Sequence, residues 1–281
     1  MDFKSLISKL DSMEAPPQTP AAPVLEKAVQ LNEDAQLRVL SGRSTYVAEA
    51  KKKADDEKKN EKVKEEKADL GIALDGDADR LQLVDAHGRL FNGDELLYLI
   101  AKARKDAGES VKGVVGTLMT NMAVEKAIQA EGIQFERAKV GDRYVLENML
   151  AKGHKLGGEQ SGHIIMRDFA NTGDGLLTAL QLMSVMAKSK KSLADLAQVM
   201  KRFPQVLINV PNVAKDKLNG SKVISAAVAK AEATLADSGR VLLRASGTEP
   251  LIRVMVEASS DNLAQEIAAS LAATVKAELE I

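Results

Sequence analysis

Asp75, Asp77 and Asp79 alternate along one loop, Asp75-Gly76-Asp77-Ala78-Asp79-Arg80, directly after a short apolar run. In a tight loop alternate side chains can converge on one point, and carboxylate oxygens are hard ligands suited to Mg²⁺ or Mn²⁺. Three carboxylates beside a buried strand repel one another without a cation, which favours a metal site over an acidic surface turn. An EF-hand is excluded, because the positions that require Gly and Glu hold Arg80 and Ala86. Arg80 adjoins the cluster and could pair with a phosphate near the metal. A second loop, Gly157-Gly158-Glu159-Gln160-Ser161-Gly162-His163, sets a Glu, a Ser and a His among glycines. Glu159 can accept hydrogen bonds from vicinal hydroxyls, and Ser161 can donate or accept, as a sugar ring requires. The same residues serve equally as a glycine-rich turn with solvated polar groups. A third loop, Arg244-Ala245-Ser246-Gly247-Thr248-Glu249-Pro250, is followed by Arg253. Successive backbone N–H groups in such a turn form an anion nest, to which the Ser246 and Thr248 hydroxyls add donors. Arg244 and Arg253 supply forks that match phosphate, so phosphate recognition is favoured over a polar hairpin tip. A softer signal is Lys139-Val140-Gly141-Asp142-Arg143, which opens a helix whose N-terminus attracts anions.

The elements that must hold these loops alternate between strand and helix patterns. Strands are expected at Leu70–Leu74, Leu81–Val84, Gly113–Thr117 and Gln134–Lys139, with extended segments at Lys155–Gly158 and His163–Met166. Helical spacing marks Asp94–Ala107, Met122–Ala130, Asp142–Ala151, Leu176–Lys188 and Leu193–Met200. This alternation predicts an α/β domain with a mixed sheet. After Phe203-Pro204 the order becomes strand, helix, two strands, helix, which predicts a small α+β domain with helices on one face of an antiparallel sheet.

The chain has 281 residues, with 39 Lys+Arg against 40 Asp+Glu, and this balance argues against a dedicated nucleic-acid binder. It has no Cys, which excludes disulfides, thiol catalysis and Cys-ligated zinc or iron–sulfur sites. His87, His154 and His163 match no paired-histidine metal spacing. No apolar run approaches the roughly 20 residues of a membrane span, and Met1–Leu10 has no signal-peptide core, so a cytoplasmic location is expected. Phe3, Leu6, Ile7, Leu10 and Met13 recur at helical spacing ahead of a Pro-rich stretch, and a helix-prone stretch ending near Ala50 follows. From Glu49 to Asp69, 16 of 21 residues are charged, which leaves almost no apolar face for a core. Residues 1–65 therefore read as a solvated arm, helical or disordered.

Taken together, LGIALDGDADR (70–80), VVGTLMTNMAVEKA (114–127), KVGDRYVLE (139–147), GGEQSGHII (157–165), TGDG (172–175) and RASGTEPLIRVMVE (244–257) resemble the α-D-phosphohexomutase family. The resemblance runs from about Glu66 to Ile281. It implies that 66–90 end a second domain carrying the metal loop, that 91–203 form a third domain carrying the sugar loop, and that 204–281 form a C-terminal phosphate-binding domain. In that family a serine passes its phosphoryl group to a phosphosugar and recovers the other phosphate. By resemblance Asp75, Asp77 and Asp79 are Mg²⁺ ligands and Arg80 lies near the phosphoserine. Lys139 and His163 line the cleft as catalytic groups, and Glu159 and Ser161 hold sugar hydroxyls. Arg244, Ser246, Gly247, Thr248 and Arg253 clamp the non-reacting phosphate. A phosphosugar is the implied partner, a hexosamine phosphate for preference, with no nucleic acid and no membrane. Two departures stand out. The family loop usually has Gly where Ala78 stands, and Ala there would strain the loop if its φ were positive. The serine motif Thr-Ala-Ser-His-Asn-Pro appears nowhere, and no Ser directly precedes a His. The expectation is a truncated mutase lacking its serine domain, turning over only with a missing N-terminal mutase half. The alternatives are a phosphosugar-binding fragment without turnover and an interaction protein acting through its N-terminal arm.

Overall fold

A computed structural model of the chain describes the backbone of Val39–Arg43 and residues 61–281, with Val199 and Thr248 excepted. The expected N-terminal amphipathic helix and most of the charged arm lie outside the described residues. The chain divides into two compact units: everything up to Thr120 together with Val124–Met200, and Asn121–Ala123 together with Lys201–Ile281.

The first unit contains two sheets. In one, β1 (Val39–Arg43), β2 (Leu70–Leu74), β3 (Leu81–Asp85) and β4 (Leu90–Phe91) lie in that order, β1 parallel to β2 and the rest antiparallel. In the other, β5 (Gly113–Thr117) runs parallel to both β6 (Gln134–Ala138) and β7 (Leu156–Gly158), and β8 (Ile164–Met166) is antiparallel to β7. All of β5 is buried, as expected for an apolar run in the middle of a parallel ladder. The helices are α1 (Gly93–Asp106), α2 (Met122–Ala130), α3 (Asp142–Lys152), α4 (Gly175–Ser189) and α5 (Leu193–Ala197). Asn92 starts α1 with a capping box: its side chain accepts from the Glu95 N–H, and the Glu95 carboxylate accepts from the Asn92 N–H, each at 3.4 Å. Gly93 to Ala101 are buried without interruption, so α1 is a central helix as well as a support for the loops at its N-terminus.

Three local expectations are corrected. Val39–Arg43 falls in a stretch read as helix-prone but forms a strand, because parallel pairing with β2 satisfies its backbone. The end of the charged arm does reach a core: Val63 and Ala68 are buried against Val84, with Leu90 packed beside them. The helix expected over Leu193–Met200 ends at Ala197.

The second unit is the expected antiparallel sheet, ordered β10 (Arg240–Ala245), β11 (Leu251–Glu257), β9 (Gln205–Pro211). It is packed against α6 (Lys222–Leu235) and α7 (Asp261–Leu279). Ile252, Val254 and Val256 alternate into the core with Leu235, Leu271 and Val275. The strand period therefore turns Arg253 to the other face, where the register sets it opposite Arg244. No helix among the described residues is long and apolar enough to cross a membrane.

One buried group in the first unit makes the fold sensitive to acid. His154 is 4% exposed, with its ring against Gly113, and neither ring nitrogen has a hydrogen-bond partner among the described residues. Burial lowers its pKa below the ordinary histidine value, with Glu136 opposing and Lys152 adding slightly. The unfolded ring gains a proton as pH falls through about 6.5, while the folded ring gains one only at lower pH. The unfolded state then binds more protons, so this contribution is complete above pH 6.5 and is lost as pH drops below it. Urea midpoints between pH 7.5 and 5 should fall less steeply for His154→Leu than for the unaltered chain; equal slopes would refute the assignment.

Candidate functional site

The Asp75–Arg80 loop leaves β2 and returns as β3. Asp75, Asp77 and Asp79 each present a carboxylate oxygen, and the three oxygens lie within 4.8 Å of one another. Asp75 is buried and its Oδ1 accepts the Arg80 N–H at 3.2 Å, which closes the loop on itself. The Arg80 guanidinium stands 3.8 Å from Asp75 Oδ2 and 3.7 Å from Asp79 Oδ1. Asp79 Oδ1 is buried with no hydrogen-bond partner among the described residues. Three hard oxygens this close together form a donor set that fits Mg²⁺, with the Arg80 guanidinium beside two of the carboxylates. Burial raises the Asp79 carboxyl above its ordinary range. His163 and Arg80 oppose that rise, and Asp75 and Asp77 reinforce it.

Ala78 sits in this loop at φ +61°, a left-handed conformation that costs an L side chain roughly 1–2 kcal/mol. Its backbone is fixed at both ends: the N–H donates to Asp75 O at 3.3 Å, and the carbonyl accepts the Gly175 N–H at 2.9 Å. Ala78→Gly removes the side-chain strain and adds backbone entropy to the unfolded chain, for a net gain of about 0.5–1 kcal/mol. A higher urea midpoint at unchanged m-value checks this, and a lower midpoint refutes it.

The second loop is fastened to the first. The Leu81 N–H donates to Gly162 O at 3.1 Å, and His163 Nδ1 lies 3.1 Å from Asp79 Oδ2. Gly162 has φ +99°, and a Cβ there would lie 2.1 Å from the Leu81 carbonyl oxygen, so only glycine fits. On the other side the Gly93 N–H donates to Gln160 O at 3.1 Å, and the Gln160 side-chain amide donates to Asp94 at 3.3 Å. Glu159 Oε1 accepts the Gly141 N–H at 2.9 Å, which joins this loop to the segment that opens α3. There Lys139 holds its ammonium 5.7 Å from the centre of the Tyr144 ring. Arg143 turns outward to Glu147 at 2.8 Å, its side chain 80% exposed. Ser161 Oγ is buried with no hydrogen-bond partner among the described residues, a polar group left for a ligand hydroxyl.

The third loop belongs to the second unit. Its amides are mostly engaged. Ser246 N–H donates to Leu251 O at 2.9 Å, Glu249 N–H to Ser246 Oγ at 3.2 Å, and Leu251 N–H to Glu249 O at 2.9 Å. Gly247 N–H has no such partner among the described residues, and a Cβ added at Gly247 would meet nothing within 4 Å. Thr248 lies outside the described residues. Arg253 bonds Glu249 at 3.0 Å, yet the Nε atoms of Arg253 and Arg244 are both buried without hydrogen-bond partners among the described residues. Burial, and then the charge of Arg253, lowers the Arg244 pKa; an anion held between the two would relieve both effects.

Several supports carry no signal in the sequence. Lys215 donates to Ser246 O at 3.0 Å and to Glu249 O at 3.4 Å, clamping the third loop from 31 residues upstream. TGDG stands out as a motif without disclosing its use. Gly173 donates to the His163 ring at 3.0 Å, Asp174 caps α4 by accepting the Leu177 N–H at 2.9 Å, and Gly175 holds Ala78.

Two family models match the chain. Phosphoglucomutase/phosphomannomutase alpha/beta/alpha domain III covers residues 92–203, and the phosphoglucomutase/phosphomannomutase C-terminal domain covers 207–274. Phosphoglucosamine mutase of Polynucleobacter asymbioticus is 58% identical over 211 residues, covering 75% of this chain and 47% of that protein. Its Streptomyces griseus counterpart is 54% identical over 218 residues, covering 77% and 48%. The chain thus spans about half the length of the curated relatives it matches. Among solved structures, Aspergillus fumigatus N-acetylphosphoglucosamine mutase in complex with GlcNAc-6P and magnesium gives a TM-score of 0.64 at 21% identity, over 74% of this chain and 48% of that one. A phosphoglucomutase/phosphomannomutase family protein of Burkholderia thailandensis gives 0.65 at 23% identity, over 79% and 50%. At these identities the structural likeness speaks for the fold alone.

Proposed function

The chain belongs to the phosphoglucomutase/phosphomannomutase family, and from that premise we propose that it carries the metal, sugar and phosphate sites of a phosphoglucosamine mutase. Such an enzyme interconverts glucosamine 6-phosphate and glucosamine 1-phosphate. Two buried oxygens without a hydrogen-bond partner among the described residues, Asp79 Oδ1 and Ser161 Oγ, carry this reading, because they lie on two loops bound to each other through Leu81 and His163. Asp75, Asp77 and Asp79 would hold Mg²⁺, which when bound neutralises phosphoryl charge. Arg80 adds positive charge beside them, and Lys139 contributes a further cation from the segment tied to Glu159. Glu159, through the oxygen not given to Gly141, and Ser161 orient ring hydroxyls. Arg244, Arg253, the Gly247 N–H and the hydroxyls of Ser246 and Thr248 take the phosphate that does not react. Phosphoryl transfer needs positioning and charge neutralisation more than covalent help from many groups, and these residues are of the kind that supply both.

The family's serine motif has no match among the 281 residues, since no Ser directly precedes a His. On this reading the chain binds glucosamine 6-phosphate weakly and turns it over only when a mutase half bearing phosphoserine is added. Two measurements test it: calorimetry with glucosamine 6-phosphate, and a coupled mutase assay with and without that half. Absence of phosphosugar binding sinks the reading. Turnover by the chain alone, with a phosphoryl adduct in intact mass after glucose 1,6-bisphosphate, overturns the need for an added carrier.

A further inference from the structure

Gly247 is exposed, and its N–H has no hydrogen-bond partner among the described residues. The direction of that amide is set from outside the loop. Ser246 O and the Gly247 N–H belong to one peptide unit, and no peptide bond among the described residues is cis. In a trans peptide the carbonyl and the N–H point in opposite directions. Lys215 Nζ donates to Ser246 O at 3.0 Å, so this peptide turns its carbonyl to Lys215 and its N–H away. The same ammonium donates to Glu249 O at 3.4 Å. Glu249 in turn holds Arg253, whose guanidinium bonds its carboxylate at 3.0 Å. One cation thus restrains a free amide through Ser246 and a guanidinium through Glu249, and both are donors that suit an anion. The foot of Lys215 is itself fixed. Val213 is buried and bridges Glu280, the Ala214 N–H donates to Leu279 O at the end of α7 at 2.8 Å, and the Lys215 N–H donates to Val213 O at 2.8 Å.

We propose that Lys215 is a positioning residue for phosphate: it holds the Ser246–Gly247 peptide with its N–H aimed at the anion that Arg244 and Arg253 attract, and it does so without touching that anion. A cation on the carbonyl also polarises the amide, which strengthens the N–H as a donor. The inference rests on the reading of the Ser246–Glu249 loop as a phosphate site, and it separates two substitutions. Lys215→Met keeps the length of the stem and loses the donor. Lys215→Arg keeps a cation that can donate to two carbonyls.

The test uses the full chain and glucosamine 6-phosphate as probe, with ¹H–¹⁵N spectra reading the Gly247 amide and the Nε–H groups of Arg244 and Arg253 separately. All three signals should move on saturation of the unaltered chain. The dissociation constant should rise about tenfold in Lys215→Met, with a smaller Gly247 shift at saturation, and stay within about threefold in Lys215→Arg. The loss in Lys215→Met should persist at about 0.3 M salt, because a bond to a carbonyl is not screened as a distant charge is. A probe that moves the arginine signals and leaves the Gly247 amide in place overturns the aim of that amide, even if a variant fails to fold. Equal affinity and an equal Gly247 shift in Lys215→Met overturn the positioning role while leaving the phosphate site standing. A loss that vanishes in salt reduces Lys215 to a distant charge and overturns the positioning role as well. Saturation that moves none of the three signals, or no binding, overturns the phosphate reading of this loop and the positioning role with it.

Discussion

Gly162→Ala should destabilise the first unit by roughly 3–5 kcal/mol, combining left-handed strain with overpacking. The added Cβ would lie 2.1 Å from the Leu81 carbonyl oxygen, on a residue whose φ is +99°. Backbone cannot yield there cheaply, because the Gly162 carbonyl in turn accepts the Leu81 N–H at 3.1 Å. That bond is one of the attachments of the Gly157–His163 loop to β3. Relief of the clash therefore separates the Glu159–Ser161 loop from the carboxylate loop, and cation binding should fall along with stability. Urea unfolding followed by circular dichroism measures the first effect, and Mn²⁺ titration the second. A midpoint corresponding to less than about 1 kcal/mol would show that the loop accommodates a side chain and that the close approach is not a constraint.

Asp77→Asn separates charge from fold in the opposite way. Asp77 is exposed, while its carboxylate lies within 4.8 Å of those of Asp75 and Asp79. Removing one of three mutually repelling charges should leave unfolding stability unchanged or slightly raised. Cation affinity should fall on the order of a hundredfold, because a unit charge within about 4 Å of a divalent ion is worth several kcal/mol even at an effective dielectric constant near 20. Affinity within threefold of the unaltered chain would mean that the three carboxylates are an acidic turn and nothing more.

The parts of the site written in contiguous residues were legible without coordinates. Alternate aspartates after an apolar run and two arginines around Ser-Gly-Thr point to a chemistry through residue type and spacing, whereas a Glu and a Ser among glycines read equally as a solvated turn. The strands and helices that carry them announce themselves by period. What was hidden depends on approach from a distance. Lys215 reaches its loop from 31 residues away, and Gly173 reaches His163 across ten. Nothing in either local sequence encodes those partners. Val39–Arg43 becomes a strand only because β2 offers an edge for pairing, and a propensity reading has no access to that edge. Ala78 shows a different limit. The strain follows at once from a positive φ, but alanine is the residue least suited to signal that conformation.

The opposition of Arg244 and Arg253 across β10 and β11 has a thermodynamic sequel. Like charges directly opposite on a ladder destabilise the folded sheet. On the proposed reading a phosphate ester between them discharges that repulsion and binds only the folded form, so the unfolding temperature of the second unit rises with the logarithm of ester concentration. At a hundred times the dissociation constant the gain is about 2.7 kcal/mol. Proteolysis that proceeds through transient opening slows by the same factor, near a hundredfold. The supply of phosphosugar would then govern how long the protein lasts, independently of whether any of that sugar is converted.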